Sequence, residues 1–204
     1  MSVYILVGGK PLPGRFNQAE TRMRTIAGVM AQQGSKVTRL HQTLLGDGTG
    51  RLSLVAEFES FHEAMNTFGE IRKDPLFLEV SKQISENPAV AEGGANVFRD
   101  FYGTVDNLKS VHLRRTYQIS RKNLPQMTEI IKEVDALSPA YKVAAVIPVM
   151  APNMDYLHGV YHFDSFADAG KIMDEVGMTP EFQELVSRGN EIATLIQSSI
   201  NVKM

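Results

Sequence analysis

The sequence predicts an α+β fold in which a β-α-β-β-α-β unit occurs twice and two antiparallel sheets pack face to face as a barrel, with the helices outside. Three observations predict it: an internal repeat, the same order of apolar segments in both copies, and strands that are apolar on both faces. One chain would therefore supply both halves of its own barrel.

An internal repeat divides the chain. Residues 58–64 recur as residues 163–169, and sliding residues 51–99 against residues 156–204 without gaps gives 13 identities in 49 positions. Unrelated sequences of ordinary composition would give about 3. We therefore predict a first repeat at residues 1–103, a linker at 104–109 and a second repeat at 110–204.

The elements of the first repeat follow from its apolar spacing and its turn residues. Residues 3–7 are apolar and rich in β-branched side chains, and a Gly- and Pro-rich loop follows them, which indicates a strand. Apolar side chains recur at helical spacing over residues 16–30. Residues 37–45 and 51–58 flank a Gly-rich turn and predict a β-hairpin.

The second helix of each repeat has a recognisable start. Ser60 with Glu63 forms a capping box, and Ser165 with Asp168 forms a weaker one. In the first repeat the helix runs to about residue 72, is interrupted before Pro75 and resumes over 76–85, and a last strand covers residues 95–102. The resulting order is that of the ferredoxin-like unit.

The strands alternate so that one face is left without helices. The face containing Phe58 and Phe163 leads directly into a helix, so we expect helices to cover it. The opposite face is not polar enough for solvent, and we expect the other repeat to cover it. It carries Ser53, Val55 and Glu57 in the first repeat and His158, Val160 and His162 in the second.

The repeated helix start also carries a family resemblance. Both repeats contain Phe, acid, Ser, Phe, any residue, acid and Ala, followed by a Pro-x-Phe step at Pro75 and Pro180. This string resembles antibiotic-biosynthesis-monooxygenase-like and NIPSNAP-like proteins of the dimeric α/β-barrel superfamily. The resemblance implies one barrel from two ferredoxin-like units. It does not choose a chemistry, because that superfamily includes cofactor-free oxygenases, isomerases, haem enzymes and proteins without known activity.

The second repeat gathers the candidate site residues. Strand periodicity puts His112 and Arg114 on the same inner face as His158 and His162. We expect the first and third strands to be parallel neighbours, with His112 near His158 and Thr116 near His162. These imidazoles could act as general bases, with Arg114 as anion stabiliser. The alternative is that they only fill a polar barrel interior.

Other histidines, metals and cofactors are given weaker roles. His158 and His162 stand ~13 Å apart along one strand, too far to share one ion, so His112, His158 and Glu57 would be the remaining metal set. We expect no metal and no cofactor. His41 and His62 are expected at solvated positions. The resemblance also implies a haem alternative, with haem in the second unit, but no axial-ligand motif is matched.

Composition excludes several classes of partner. The chain has 21 Lys and Arg, 23 Asp and Glu, a formal net charge of −2 and no Cys. This balance argues against nucleic-acid and membrane-surface binding, and the lack of Cys removes disulfides, thiolate metal sites and Cys nucleophiles. We expect a cytoplasmic protein that is a monomeric barrel or a homodimer and binds a small-molecule ligand.

Three functions remain open from the sequence. The first is a cofactor-independent monooxygenase or isomerase acting on an aromatic or polyketide-like compound. The second is a non-catalytic ligand-binding or assembly protein with a filled barrel, which aromatic side chains such as Tyr4, Tyr117 and Tyr161 would close. The third is a haem-binding barrel.

Overall fold

The computed structural model describes residues 1–91 and 93–204. Within them the chain forms eight strands and six α-helices in the order predicted. The first half contains β1(Val3–Gly9), α1(Phe16–Gln32), β2(Val37–Gly46), β3(Leu52–Phe58), α2(Phe61–Ile71), α3(Pro75–Glu86) and β4(Gly94–Tyr102). The second contains β5(Val111–Ile119), α4(Leu124–Ala136), β6(Lys142–Met150), β7(Tyr156–Phe163), α5(Phe166–Ile172), α6(Pro180–Asn190) and β8(Ala193–Lys203).

Both predicted helix starts are confirmed. The Ser60 hydroxyl accepts a hydrogen bond from the backbone N–H of Glu63 and caps α2. The Ser165 hydroxyl accepts one from the backbone N–H of Asp168 and caps α5. These bonds satisfy N–H groups that the first helical turn leaves without partners.

The eight strands form one closed barrel in the order β1-β3-β2-β8-β5-β7-β6-β4, and every neighbouring pair is antiparallel. The halves are joined by hydrogen bonds at two seams, β2 with β8 and β4 with β6. The predicted barrel with helices outside is confirmed, and its two sheets are continuous across both seams.

The expected parallel pairing of first and third strands is wrong. β5 and β7 are antiparallel neighbours, so His112 lies opposite His162 and Thr116 lies opposite His158. The reason is topological. The crossover through α4 leaves β6 running in the direction of β5, and the β6–β7 hairpin then reverses the chain, so β7 runs against β5.

Two apolar cores lie outside the barrel wall. In the first half the outward residues of β3, including Leu52, Leu54 and Phe58, are buried in one cluster with residues of α1 such as Met23 and Met30. In the second half Leu157 and Phe163 of β7 share a cluster with residues of α4 and α6. Because strand residues alternate, the intervening side chains point into the barrel and line a third compartment, its lumen.

No helix in the described part of the chain is both long and apolar enough to cross a bilayer.

Candidate functional site

The lumen contains a cavity of about 100 Å³. Its apolar wall includes Leu6, Val55, Phe98, Val146 and Val160. Its polar lining includes Tyr4, His41, Ser53, Asn107, His112, Arg114, His158 and Asn201. The predicted inner face is therefore confirmed for Ser53, Val55, His158 and Val160.

Three of the four predicted site residues line this cavity. They are His112 and Arg114 on β5 and His158 on β7. The fourth, His162, is buried beside His112, with ring centroids 5.1 Å apart and nearly perpendicular planes. The corrected register explains the arrangement, because it places His162 directly opposite His112 at one end of the lumen and His158 two residue pairs beyond Arg114.

His158 is held by a neighbouring hydroxyl. Its Nδ1 lies 3.0 Å from Thr116 Oγ1, and the Phe98 ring meets its ring edge-on at 5.2 Å between centroids. Burial, followed by the charge of Arg114, lowers the pKa of His158 to about 3. His158 is therefore a neutral imidazole at neutral pH, and Nε2 is the nitrogen left available to the cavity.

The hydrogen bonds of His112 and His162 define which ring nitrogen of each carries the hydrogen. His112 Nε2 lies 3.1 Å from the carbonyl oxygen of Asp106, and because a carbonyl only accepts, Nε2 carries the hydrogen. His162 Nε2 accepts from the backbone N–H of Asp106 at 3.1 Å, while its Nδ1 donates to the Lys142 carbonyl. Burial lowers the pKa of both, for His112 to about 3, with His41 and His162 contributing there.

His41 is a lumen residue that the sequence analysis misplaced. It is only 5% exposed, and its ring lies 5.1 Å from that of His112, across β8. Its Nε2 is buried and has no hydrogen-bond partner in the part of the chain that the structure describes. Burial, then Lys203, Arg39 and Arg114, lower its pKa to about 4. The signal that could have found it is the alternation in β2, where Leu40 packs into the outer core. His62 is exposed, as expected.

Arg114 is a buried guanidinium that forms no ion pair with the residues that the structure describes. Its Nε is buried with no acceptor, and no ion pair to it is formed by residues 1–91 or 93–204. Burial lowers its pKa, with the charge of Arg51 adding to the shift and that of Asp47 opposing it. An arginine nevertheless remains protonated in proteins, so the cavity wall carries a fixed positive charge.

The predicted linker closes one end of the lumen. Asn107 is 4% exposed, and its side-chain amide donates to Glu57 at 3.0 Å. The backbone N–H of Val105 donates to the Tyr4 hydroxyl, which in turn donates to Asp100. Burial and Asp100 raise the pKa of Tyr4. Sequence reasoning missed this role because a polar segment without periodicity reads as an exposed connection.

A second, smaller cavity of about 40 Å³ lies outside the barrel, between its wall and helices α4 and α6. Tyr117 and Tyr161 line it, so they do not fill the lumen. The guanidinium of Arg115 stacks over the rings of Tyr161 and Phe182, 5.6 Å from each centroid. Of the aromatic residues considered as barrel fillers, only Tyr4 lies against the lumen cavity.

The fold matches solved structures at low sequence identity. A proposed monooxygenase from Fusobacterium nucleatum is 7% identical, with a TM-score of 0.67 over 100% of this chain and 93% of that one. An anthrone oxidase-like protein is 8% identical, with a TM-score of 0.67 over 100% and 91%. A haem-degrading enzyme from Listeria monocytogenes is 11% identical, with a TM-score of 0.51 over 99% of both chains.

No protein-family profile and no curated protein sequence matches this chain. At identities near 10% the structural likeness establishes the fold alone. The chain thus has an α+β barrel fold that monooxygenase-like proteins also have, and its chemistry has to be argued from its own residues.

The residues present do not fit a haem or a resident metal. A cavity of about 150 Å³ holds one benzene, whereas the two cavities described above measure about 100 and 40 Å³ and a haem is a macrocycle of four pyrrole rings joined by methine bridges. Among the residues described, no three His, Asp or Glu side chains converge as a metal site. Glu57, the third member of the metal set considered above, is already bound by Ser2 and Asn107.

Proposed function

We propose that the protein is a small-molecule-binding enzyme of the cofactor-independent monooxygenase or isomerase type, acting inside the barrel lumen. One observation carries the proposal: neutral imidazoles and a guanidinium without an ion-pair partner among the described residues line the same cavity. The volume of about 100 Å³ lies below the ~150 Å³ of a cavity that holds one benzene, so it favours a compound of at most one small ring or a short polyketide-like fragment over a fused polycycle.

The arrangement supports proton abstraction. His158 Nε2 takes a proton from an O–H or C–H group of the bound compound, while Thr116 keeps the ring oriented through Nδ1. The negative charge left on the substrate oxygen is stabilised by Arg114 in a cavity whose lining is mainly apolar. In an isomerase the proton returns to another carbon. In an oxygenase the carbanion combines with molecular oxygen and takes back the proton from His158 to form a hydroperoxide, which loses water to leave a carbonyl. Molecular oxygen is then the oxidant, and one of its atoms enters the product while the other leaves as water.

The weak basicity of the buried His158 imidazole restricts which compounds can be substrates. Burial makes the His158 imidazole a weak base, which favours a compound whose proton is comparatively acidic, such as a phenol or a 1,3-dicarbonyl, over an unactivated C–H or alcohol. The imidazolium that forms is then stabilised by the anion beside it. We therefore expect a substrate whose acidic hydrogen lies next to the oxygen that Arg114 binds.

The two halves support the same assignment. We infer that they arose by duplication, with residues 1–103 and 110–204 as the copies and 104–109 as the join. At the positions of His112, Arg114 and His158 the first half has Tyr4, Leu6 and Ser53, which also line the lumen. Polar chemistry is therefore concentrated on the wall that the second half contributes.

Hydrogen exchange into a small acidic ketone tests the proposal. We expect the protein to accelerate deuterium exchange at the α-carbon of ethyl acetoacetate, measured by NMR at pD 5. His158→Gln should slow the protein-dependent rate by about 10²-fold, because it removes the base. His62→Gln changes an exposed histidine of α2 and should leave the rate unchanged. Equal rates for the two variants would contradict the assignment.

The second candidate is a non-catalytic ligand-binding protein. The observation in its favour is that Asp106 and Thr116 already engage the polar atoms of three histidines. On that hypothesis His158→Ala lowers the melting temperature and leaves ligand binding intact. Native and denatured masses of the purified protein distinguish a retained ligand from an empty lumen.

A further inference from the structure

Unpartnered polar atoms cluster on the lumen cavity. In residues 1–91 and 93–204 four buried side-chain polar atoms have no hydrogen-bond partner, and three belong to cavity-lining residues. They are Nε of Arg114, Nε2 of His41 and Oδ1 of Asn107. Since buried polar groups in proteins are almost always paired, these atoms favour a polar partner in the cavity; Arg114 and His41 can donate to an anion, whereas Asn107 Oδ1 can only accept.

The charges around the cavity indicate the sign of that partner. Every charged group that shifts the pKa of His41 is cationic, namely Lys203, Arg39 and Arg114. The buried carboxylates Glu57 and Asp100 do not offset this field, because they lie at the linker end and are bound by other donors. The charges that act on Arg114 are those of Arg51 and Asp47, which oppose each other, and neither Glu57 nor Asp100 is among them.

The apolar part of the cavity lining limits the size and the polarity of the ligand. Beside the polar atoms the cavity is lined by Leu6, Val55, Val146 and Val160, which provide apolar contact. A multiply charged ion would leave part of its charge unpaired in such a site. A single carboxylate on a short hydrocarbon chain matches both the polar and the apolar part of the cavity lining.

We propose that the lumen binds a small monocarboxylate, with its anionic group on Arg114 and His41 and its apolar body on the valine wall. This inference rests on the proposed function, because it takes the lumen cavity as the ligand site. A carboxylate beside the Arg114 guanidinium pairs with its charge and, when His41 carries its hydrogen on Nε2, accepts from His41 as well.

Isosteric probes test the charge. Butyrate and butyramide have nearly the same size, and only butyrate is charged. By isothermal titration calorimetry at pH 7 we expect butyrate to bind at least tenfold more tightly than butyramide. Arg114→Met keeps the side-chain length and removes the charge, so it should abolish the preference without lowering the melting temperature.

The adjacent arginine provides the matched control. Arg115 points to the opposite face of β5 and packs on Tyr161 and Phe182, so Arg115→Met should keep the preference for butyrate. Arg114→Lys retains the positive charge and should therefore keep part of the preference for butyrate over butyramide. If Arg114→Met does not fold, Arg114→Gln gives the same comparison.

The outcomes separate this inference from the proposed function. Equal binding of butyrate and butyramide, or a preference that survives in Arg114→Met, overturns the monocarboxylate assignment and leaves the lumen as a small-molecule site. Binding of neither probe, together with no exchange into ethyl acetoacetate, overturns both.

Discussion

At the scale of single residues, the lumen histidines are side chains whose burial has an energetic cost that depends on pH. Burial is the first cause of the lowered pKa in His41, His112, His158 and His162. Each is therefore neutral in the folded protein at a pH at which it is protonated in the unfolded chain, where the pKa is about 6.5. Acidification thus favours the unfolded chain.

The free energy of unfolding should fall as the pH is lowered from about 6.5 toward 4. Between these values the unfolded chain binds more protons than the folded one, so each histidine contributes a slope of up to about 1.4 kcal/mol per pH unit. His112→Gln should flatten the dependence measured by urea denaturation at several pH values. His62→Gln should not, and identical slopes for both variants would contradict the explanation.

At the scale of structural elements, the linker is part of the wall of the lumen. Asp106 contacts histidines of β5 and β7, and Asn107 contacts Glu57 of β3. A segment of six residues thereby binds strands from both halves. Buried polar contacts hold this segment in place more than apolar packing does, because the side chain of Leu108 within it is 68% exposed.

Asn107→Ala should destabilise the protein by about 1–3 kcal/mol, because it leaves a buried carboxylate oxygen of Glu57 without its donor. Amide hydrogen exchange at residues 104–109 should accelerate in the same variant. Leu108→Ala provides the comparison, since it alters the neighbouring exposed position and should change the free energy of unfolding by less than about 0.5 kcal/mol. Similar losses in both variants would show that Asn107 has no special role.

At the scale of the whole molecule, the barrel depends on two seams. At the β2–β8 seam Gly46 has φ +79°, and a Cβ there would collide with the backbone of Ser198. The seam is reinforced by the backbone N–H of Asp47, which donates to the Ser198 carbonyl. Glycine at this position lets the two halves approach closely enough for hydrogen bonding.

Gly46→Ala should therefore cost more than the about 1–2 kcal/mol expected for a left-handed conformation alone. Gly14→Ala isolates that conformational cost, because Gly14 has φ +74° and no atom lies near the position of its Cβ. Chemical denaturation of both variants gives the comparison. Equal destabilisation would mean that the seam can shift to accept a methyl group.

Much of this fold could be predicted from local pattern. The order of elements, the caps at Ser60 and Ser165 and the inward direction of His158 follow from spacing within a few residues. The predicted parallel pairing of β5 and β7 was wrong, because the relative direction of two strands depends on how the crossovers and hairpins between them combine. The contact between His41 and His112 depends on barrel closure, which no local pattern encodes.

The position of the linker also affects how the chain can vary in length. A turn such as residues 48–50 projects from a hairpin and can lengthen at little entropic cost. The segment at residues 104–109 is bound to strands of both halves, and Val105 and Asn107 within it line the lumen cavity. An inserted residue there would displace Asn107 or Asp106 from its contacts. This covalent connection should therefore tolerate insertions as poorly as a central strand, although its composition is that of a surface loop.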